Sequence, residues 1–423
     1  MPRRKDSQPR PRRLGRWLIG IAGVIAVLGG VAYGVNAYYA NLKDTFNTAP
    51  INHHFSSHFQ FNHRITILLM GSSLVTNAQN QVVMSRTAQD RTDTLMLVSI
   101  NPATHQVGVV SIPRDTRVNL PGIGLTKIAE ASFEGGVKET VQVVQQTFHV
   151  PVDYYAYISM AQFANVINDM GGMTMYIPQT EIYQPSGGKL GIDLTKGWHH
   201  LNGWQVLEYA RYRNTAQGDI GRIQQQQQIL RDIAKQLLQP KYIPLIPKLA
   251  SDLSHALAYT NLNTSQIVSL ALFARHIPLS AVRFGTVPGH SSTYQDPILH
   301  QPLSYWTYDA HLSTILVQDV LLAEPLTAAQ KQSLKIYIDS GTASLAPAQA
   351  LAKTLEQDGY TVTGVGWANH HTHHRSVLIN TTGDRFLGAR LAALLGPTVS
   401  QFAPYHTTPW DLKITVGADY TGK

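Results

Sequence analysis

A long uncharged stretch near the amino terminus constrains this chain more than any other feature. Residues 17–42 contain no Asp, Glu, Lys or Arg, and the roughly 20 apolar residues that a helix needs to cross a bilayer fit within them. Trp17 lies at one end, and Tyr38 and Tyr39 lie near the other, as is usual at the two membrane interfaces. We therefore predict a transmembrane helix over residues 17–42.

The charge pattern predicts the orientation of this helix. Residues 1–16 hold seven basic side chains and one acidic side chain, a net charge of +6, whereas the other 407 residues hold 27 basic and 25 acidic side chains, a net charge of +2. The positive leader predicts a cytoplasmic amino terminus and a single-pass type II membrane protein whose bulk is extracellular. A cleaved signal peptide is the alternative, but the apolar stretch exceeds the usual length of about 7–15 residues. The remaining chain lacks the basic character of a nucleic-acid-binding protein, so we predict no nucleic acid partner.

The rest of the sequence divides into a stalk and two predicted domains. Residues 43–61 are polar with scattered aromatic residues and predict an extracellular stalk. Alternating strand and helix patterns over residues 62–325 predict an α/β/α layered domain with a mixed sheet. Residues 331–423 read as βαββαβ and predict a small α+β domain. Its histidine-rich segment, residues 370–374, could bind a metal, but a solvated turn is the favoured interpretation.

The absence of cysteine excludes several kinds of chemistry. The chain can form no disulfide, no thiolate metal site and no cysteine nucleophile. It also lacks a phosphate-binding P-loop, a dinucleotide-binding fingerprint and a Ser-His-Asp order.

Charged residues adjoin two apolar strands of the predicted first domain. Arg91 and Asp93 stand at the start of the string "RTDTLMLVSI", and Arg114, Asp115 and Arg117 follow the strand "VVSI". Ligands bind at the rims of open sheets in α/β folds. We therefore expect these side chains to be exposed at one rim of the sheet.

A third segment adds more arginines. Asp219 is expected to cap a long helix from about residue 220 to 238, with Arg222 and Gln226 on one face of its first turns. Arg211 and Arg213 precede it. Converging guanidinium groups with few carboxylates among them favour an external anion, because cations left together unpaired are costly. Guanidinium forks match phosphate oxygens; a separate surface salt bridge for each arginine is the alternative.

The two aspartates at the predicted rim favour a magnesium-assisted reaction. Asp93 and Asp115 carry hard carboxylate oxygens, which Mg²⁺ prefers when it is held against a diphosphate. Either carboxylate could also accept a proton from an attacking hydroxyl. The sequence thus predicts a diphosphate site that uses Mg²⁺ as a cofactor.

Several strings resemble the LytR-CpsA-Psr family of bacterial cell-envelope proteins. The resemblance covers about residues 62–240 and rests on "RTDTLMLVSINP", "VVSIPRDTRV", "LNGWQVLEYARYRN" and "GDIGRIQQQQQIL". The tail, which ends "ITVGADY", is similar to the LytR C-terminal domain. The resemblance implies a membrane-anchored phosphotransferase that moves a glycopolymer, such as teichoic acid or a polysaccharide, from undecaprenyl pyrophosphate onto peptidoglycan and forms a phosphodiester.

The residues and the resemblance together give a set of expected roles. Catalysis is expected to involve Asp93, Arg114 and Asp115, and the resemblance implies that Asp93 holds Mg²⁺ and that the lipid enters an apolar channel in the core. The expected pyrophosphate ligands are Arg91, Arg114, Arg117, Arg211, Arg213, Arg222, Gln225 and Gln226.

Two positions depart from the family pattern, and both departures remove a charge. Ser73 stands where the family usually has a metal-binding aspartate, so the expected metal residues are Asp93 and Ser73. Gln225 stands where the family has the second arginine of its helix motif. A non-catalytic protein that binds polyprenyl pyrophosphate or wall glycan is therefore the alternative function. Transcriptional regulation is disfavoured, because the predicted topology places the folded domains away from DNA.

Overall fold

The computed structural model describes most of the chain from His63 onwards. The described residues are 63–72, 75–76, 82–83, 91–183, 191–212, 218–237, 239, 257–263, 266, 270, 273, 277–396, 399–405 and 407–421. The predicted transmembrane helix and stalk lie outside these residues. Within the described part of the chain, no helix is long and apolar enough to cross a membrane.

A six-stranded mixed sheet forms the centre of the first domain. Its strands in chain order are β1 (Ile65–Ser72), β4 (Thr92–Asn101), β5 (Gln106–Ile112), β8 (Tyr154–Ile158), β13 (Leu257–Thr260) and β14 (Val282–Thr286). Their spatial order is β13-β8-β1-β4-β5-β14. The pair β4–β5 is antiparallel, whereas β1–β8 and β5–β14 are parallel. β1, β4 and β5 are almost entirely buried, which explains their continuous apolar sequence.

Helices cover both faces of this sheet. They are α1 (Glu130–Phe148), α2 (Met160–Asp169), α3 (Gly203–Arg211), α4 (Gly218–Leu237) and α5 (Ala310–Leu316). One core packs α2, α3 and α4 on the sheet, and the second packs α1 and residues 316–321 on the other face. Gly136 bends α1 with a φ of 71°, a conformation that glycine adopts without strain. The predicted α/β/α layered fold with a mixed sheet is confirmed.

Short strand pairs decorate this layered domain. Two of them are small: β2 (Val75–Thr76) with β3 (Val82–Val83), and β6 (Arg117–Leu120) with β7 (Gly124–Lys127). β9 (Met173–Ile177) pairs with β12 (Gly197–Leu201), and β10 (Glu181–Tyr183) pairs with β11 (Ile192–Leu194). A longer hairpin joins β15 (Gly289–Gln295) to β16 (Pro302–Tyr308).

The carboxyl-terminal unit is a five-stranded sheet with helices. Its elements are α6 (Ala328–Ser333), β17 (Lys335–Ser340), α7 (Ala346–Gln357), β18 (Thr361–Trp367), β19 (Val377–Asn380), α8 (Arg385–Ala392), β20 (Val399–Phe402) and β21 (Leu412–Val416). The spatial order is β18-β17-β21-β19-β20. The predicted βαββαβ pattern lacked β20, a short edge strand with three exposed residues and little hydrophobic signal.

The carboxyl-terminal unit shares packing with the first domain. Its core includes Leu312 and Ile315 of α5, and Gly285 of β14 forms an isolated bridge with Asp384. The expected boundary between residues 325 and 331 therefore separates two chain segments that are in direct contact. In the histidine segment 370–374, most residues are exposed, and the described residues contain no group of three metal-binding side chains.

Candidate active site

The register of the central sheet brings Asp93 and Arg114 together. Leu95 pairs with Ile112 in the antiparallel pair β4–β5, so residues two positions beyond the pair, 93 and 114, face each other at one rim. Arg114 donates a short, charge-assisted hydrogen bond from Nη1 to Oδ1 of Asp93. The end of β1 lies at the same rim, because Gly71 pairs with Thr94. Asp93 and Arg114 thus lie at one rim of the sheet as predicted, but their side chains are only 10% and 26% exposed, so the predicted exposure does not hold for them.

Arg114 lies among three carboxylates. Its Nε is 3.7 Å from Oδ2 of Asp115 and 3.9 Å from Oδ2 of Asp219, in addition to the bond with Asp93. Burial acts to lower the pKa of Arg114, but these three negative charges outweigh it and raise the pKa. The guanidinium is therefore a permanent cation at the centre of the site.

Lys127 is a residue of the site that the sequence analysis missed. It ends β7, and its Nζ is 2.8 Å from Oδ1 of Asp115. Burial acts to raise the pKa of Asp115, but the hydrogen bond from Lys127 and the charge of Arg114 lower it overall. Asp115 is therefore ionised at neutral pH. Lys127 is brought to the site by the pairing of β6 with β7, which places it opposite Arg117. This pairing could not be read from the sequence alone.

The start of α4 joins the same network. The helix begins at Gly218, so Asp219 lies in its first turn rather than at the predicted capping position. Oδ2 of Asp219 is 3.4 Å from Nη2 of Arg222, whose side chain is only 3% exposed. Asp219 thus connects Arg222 to Arg114, a role that the sequence analysis did not assign to it.

Arg91 lies beside Arg114 but has its own partner. Its Nε is 2.8 Å from both carboxylate oxygens of Glu130, at the start of α1. Its guanidinium carbon lies 5.1 Å from the centroid of the Phe133 ring. The side chain remains 49% exposed, which leaves it able to meet a ligand.

Arg117 is directed differently from the other arginines. Its guanidinium carbon lies 3.8 Å from the centroid of the Tyr294 ring, on the hairpin β15–β16. The structure thus places this expected pyrophosphate ligand against an aromatic ring of the hairpin.

Of three further expected ligands, Arg211 is described by the structure, whereas Arg213 and Ser73 are not. Arg211 is the last residue of α3, one turn after Glu208, whose pKa is raised by burial and partly restored by the charge of Arg211. Arg213 lies within residues 213–217, outside the described residues, as does the expected metal residue Ser73.

Gln225 faces a carboxylate of its own. It donates from Nε2 to Oε1 of Glu181 at 2.8 Å, and both side chains are buried. Burial raises the pKa of Glu181 to about 7, although the hydrogen bonds from Gln225 and Gln179 oppose the shift. The expected pyrophosphate ligand Gln225 is therefore engaged with β10 instead, which sequence spacing could not reveal.

The structure corrects the premise that the arginines have few acidic partners. Arg91 pairs with Glu130, and Arg114 and Arg222 share Asp219. The carboxylates come from other elements than the arginines, so they are distant in sequence and adjacent in space. The convergence was predicted; the charge compensation was not.

An apolar pocket opens beside this charged network. Its cavity volume is about 140 Å³. Thr94, the neighbour of Asp93, and Gln226, one turn after Arg222, are among its few polar residues. The remaining lining is mainly apolar and comes from the sheet and from α2, α3 and α4: Leu69, Met70, Gly71, Met96, Ala156, Ile158, Met160, Phe163, Leu207, Ala210, Ile229, Leu230 and Leu257.

A second, polar pocket lies next to Arg114. It has a cavity volume of about 310 Å³. Charged residues line one part of it, and the β15–β16 hairpin contributes Asp296 and an apolar edge. The lining residues are Arg91, Arg114, Asp115, Lys127, Ala129, Glu130, Asp296, Ile298, Leu299 and Leu303. Arg114 lines this pocket, and its partner Asp93 precedes Thr94, which lines the apolar pocket, so the pair Asp93–Arg114 connects residues of the two linings.

The donor set is compatible with Mg²⁺. Asp93, Asp115 and Asp219 are hard oxygen donors grouped around a single guanidinium. Together with Arg114, Lys127 and Arg222 they form three anionic and three cationic groups, which is a balanced set. A diphosphate that entered such a site would bring negative charge that a divalent cation could offset. The described residues contain no group of three side chains already arranged to hold a metal.

A family model decides the classification of the chain. The model of the LytR_cpsA_psr family matches residues 31–313, more than half of the sequence. The chain belongs to the LytR-CpsA-Psr family. This region includes the central sheet, both pockets and the charged network.

Curated relatives of this LytR-CpsA-Psr chain carry two kinds of name. TagT of Bacillus subtilis, a polyisoprenyl-teichoic acid–peptidoglycan teichoic acid transferase, is 30% identical over 243 residues, which cover 54% of this chain and 73% of TagT. TagV of the same species, named in the same way, is 34% identical over 185 residues, 43% of this chain and 47% of TagV. The regulatory protein MsrR of Staphylococcus aureus is 29% identical over 211 residues, and the match spans 50% of this chain and 60% of MsrR.

Solved structures share the fold. The crystal structure of Bacillus subtilis TagV superposes with a TM-score of 0.51 at 28% identity and covers 62% of this chain and 99% of TagV. The structure of protein gbs0355 from Streptococcus agalactiae gives a TM-score of 0.53 at 23% identity, with 63% and 90% of the two chains covered.

Proposed function

We propose that this protein transfers a glycopolymer from a polyprenyl pyrophosphate carrier to peptidoglycan, as a phosphotransferase. One observation carries the proposal: the hydrogen-bonded pair Asp93–Arg114 has Thr94 of the apolar pocket next to it in the chain, and its Arg114 lines the polar pocket. A donor with a hydrocarbon tail and a charged diphosphate fits the apolar pocket and the arginines beside it. The names of TagT and TagV support this substrate class.

The charged network would hold the diphosphate of the donor. Arg114 lies at the rim, the buried Arg222 is linked to it through Asp219, and Arg91 is 49% exposed. Guanidinium groups bind phosphate oxygens in pairs and stabilise the negative charge that grows on the leaving phosphate. Gln226 lines the apolar pocket next to the arginines, where it would contact the first atoms of the lipid tail.

The polar pocket gives the acceptor sugar access to the reacting phosphorus. An acceptor hydroxyl attacks the phosphorus bonded to the glycopolymer, a new P–O bond forms, and the P–O bond to the polyprenyl phosphate breaks. The leaving group is the polyprenyl monophosphate. Asp115 borders the polar pocket and is ionised, so we assign it as the acceptor of the hydroxyl proton.

Mg²⁺ would be the cofactor of the proposed reaction, with Asp93 as its protein ligand and Ser73, which lies outside the described residues, as the second expected contact. When bound, it supplies positive charge that offsets the diphosphate and its developing charge. Arg114 holds the Asp93 carboxylate in place through their hydrogen bond.

The proposal also includes a membrane anchor. A donor lipid resides in a bilayer, and the uncharged residues 17–42 with the basic leader would hold the enzyme there as a type II membrane protein. The anchor lies outside the described residues, so its support is the sequence alone.

Substitutions at the pair Asp93–Arg114 test the proposed function. Arg114→Ala and Asp93→Asn in the full chain should each lower the rate of glycopolymer transfer by a factor of about 10² or more, because each removes a charge that acts on the reacting phosphate. Arg64→Ala is the matched control, since Arg64 pairs with Glu324 at 3.3 Å and precedes β1, whose other end lies at the site. Full activity in both site variants would rule out the proposed mechanism.

A further inference from the structure

An aromatic cluster joins the carboxyl-terminal unit to the first turns of α4. The rings of Trp306 and Tyr405 pack edge to face, with centroids 5.4 Å apart. Both belong to one hydrophobic cluster with Ile220 and Ile223. These two isoleucines flank Arg222 in the sequence, so the cluster supports the helical turns that carry the arginine.

The same cluster supports the loop that carries Asp115. The backbone N–H of Trp306 donates to the carbonyl oxygen of Asp115 at 2.8 Å, and Trp306 forms an isolated parallel bridge with Thr116. The indole Nε1 donates to the carbonyl oxygen of Val287 at 3.1 Å. Trp306 therefore contacts Asp115 of the charged network with its main chain and Tyr405 with its ring.

Main-chain contacts fix Tyr405 against the first domain. The N–H of Gly289 donates to the carbonyl oxygen of Pro404 at 3.0 Å, and Gly289 bridges Tyr405. A Cβ at position 289 would lie 2.4 Å from the carbonyl oxygen of Thr307 and 2.9 Å from Nε1 of Trp306. The close approach of this backbone to β16 thus requires glycine at position 289.

A buried ion cluster holds the two units together at a second point. Asp319 is fully buried and lies 3.0 Å from Nη1 of Arg283, on β14, and 3.1 Å from Nη2 of Arg390, on α8. The guanidinium of Arg283 also covers the ring of Phe386, 3.9 Å from its centroid. The carboxyl-terminal unit therefore contacts the first domain at two separate points, the Trp306–Tyr405 cluster and the Asp319 ion cluster. Two contacts restrict its movement relative to α4.

The negative charge of Asp219 also acts on the phenol of Tyr405. Burial and the nearby Asp219 carboxylate both raise the pKa of Tyr405. The phenol therefore stays neutral beside the acidic residue that links Arg222 to Arg114.

We propose that the carboxyl-terminal unit is a working part of the transferase site and that Tyr405 is a positioning residue. Through Ile220, Ile223 and Trp306, its ring holds the first turns of α4 so that Asp219 and Arg222 face Arg114. The consequence for turnover rests on the proposed function, whereas the consequence for α4 does not.

Tyr405→Ala in the full chain tests this role by two readouts. Hydrogen exchange of the backbone amides of residues 218–226 should become about tenfold faster, because the aromatic contact that supports the helix start is lost. In the transfer reaction, the KM for the polyprenyl pyrophosphate donor should rise about tenfold, while the KM for the acceptor stays unchanged.

Two matched variants separate positioning from general destabilisation. Tyr405→Phe keeps the ring and should stay closer to the wild type than Tyr405→Ala in both readouts. Tyr420→Ala removes another partly buried tyrosine, which packs on the core of the same unit, and should leave the exchange of residues 218–226 unchanged.

The inference would be overturned if the amides of residues 218–226 exchanged at the wild-type rate in Tyr405→Ala. It would also be overturned if Tyr420→Ala accelerated their exchange as much as Tyr405→Ala does. Faster exchange in Tyr405→Ala alone, together with the absence of transfer in the wild type, would support the positioning role and reject the proposed function. The two failures are therefore distinguishable.

Discussion

Gln225 shows how one residue can differ in role from its position in a motif. The family motif has an arginine there, and the spacing along α4 suggested a phosphate ligand. In the folded chain, Gln225 instead donates to Glu181 at 2.8 Å. Glu181 is 1% exposed and its pKa is raised to about 7 because burial disfavours its charged form.

The raised pKa of Glu181 predicts a pH dependence of stability. A carboxyl whose folded pKa is above its unfolded value binds a proton more tightly in the folded state, so its contribution is fully present below about pH 4.5 and is lost as the pH rises through about 7. The penalty at pH 8 is on the order of 3 kcal/mol. The melting temperature should therefore fall between pH 5 and pH 8.

Two variants test whether the pH dependence of stability comes from the pair Glu181–Gln225. Glu181→Gln should remove it, because the amide does not titrate, and should raise the melting temperature at pH 8. Gln225→Arg should reduce it, because a guanidinium beside the carboxylate lowers the carboxyl pKa. An unchanged pH slope in Glu181→Gln would show that other groups cause the dependence.

The residues of the site were only partly predictable from the sequence. Asp93, Arg114 and Arg222 could be placed at one rim because strand ends and helix starts have recognisable patterns. The contributions of Lys127 and Glu130 and the linking role of Asp219 could not be predicted, because they depend on which loops meet in space. No periodicity encodes such tertiary contacts, and the partner of Gln225 is 44 positions away along the chain.

At the scale of elements, α3 and the central sheet form the walls of the apolar pocket. Ala210 on α3 and Ala156 on β8 both line this cavity, whose volume is about 140 Å³. The small side chains at these two positions leave space that the larger residues of a packed core would fill.

Ala210→Leu should fill part of this space and block the lipid. Binding of a long-chain polyprenyl pyrophosphate should weaken at least tenfold, because displaced methylene groups are worth about 0.8 kcal/mol each. A soluble pyrophosphate without a lipid tail should bind as before. Binding measured by calorimetry with both ligands distinguishes the pocket from the charged network.

An exposed position supplies the control for Ala210→Leu. Ala350 is exposed on α7 of the carboxyl-terminal unit, and Ala350→Leu should leave lipid binding unchanged. If Ala210→Leu bound the long-chain ligand with wild-type affinity, the apolar pocket would not be the lipid site.

The elements themselves were easier to predict than their arrangement. β1, β4 and β5 are buried runs of apolar residues, and α2 and α7 are amphipathic, which is why alternating strand and helix patterns could be recognised in the sequence. The edge strand β20 and the bend at Gly136 were missed. Their sequences are polar or rich in glycine, and their conformations depend on neighbouring elements.

At the scale of the whole molecule, the charged network lies where three parts of the chain meet. The central sheet supplies Asp93 and Arg114, α4 supplies Arg222, and the carboxyl-terminal unit supports α4 through Tyr405. The sequence predicted two domains and their fold classes. It could not predict the contact between them, because residues such as Trp306 and Tyr405 look like ordinary core aromatics.

The central claim is that the site breaks the diphosphate of a lipid-linked donor rather than only binding it. The most direct measurement incubates the full chain with a radiolabelled polyprenyl pyrophosphate glycopolymer, peptidoglycan and Mg²⁺, and follows both products over time. We predict equal amounts of polyprenyl monophosphate and of glycopolymer joined to peptidoglycan by a phosphodiester, and formation of both products slowed by a factor of about 10² or more in the Arg114→Ala variant. Tight retention of an intact donor, without release of polyprenyl monophosphate, would contradict the account and identify a binding protein.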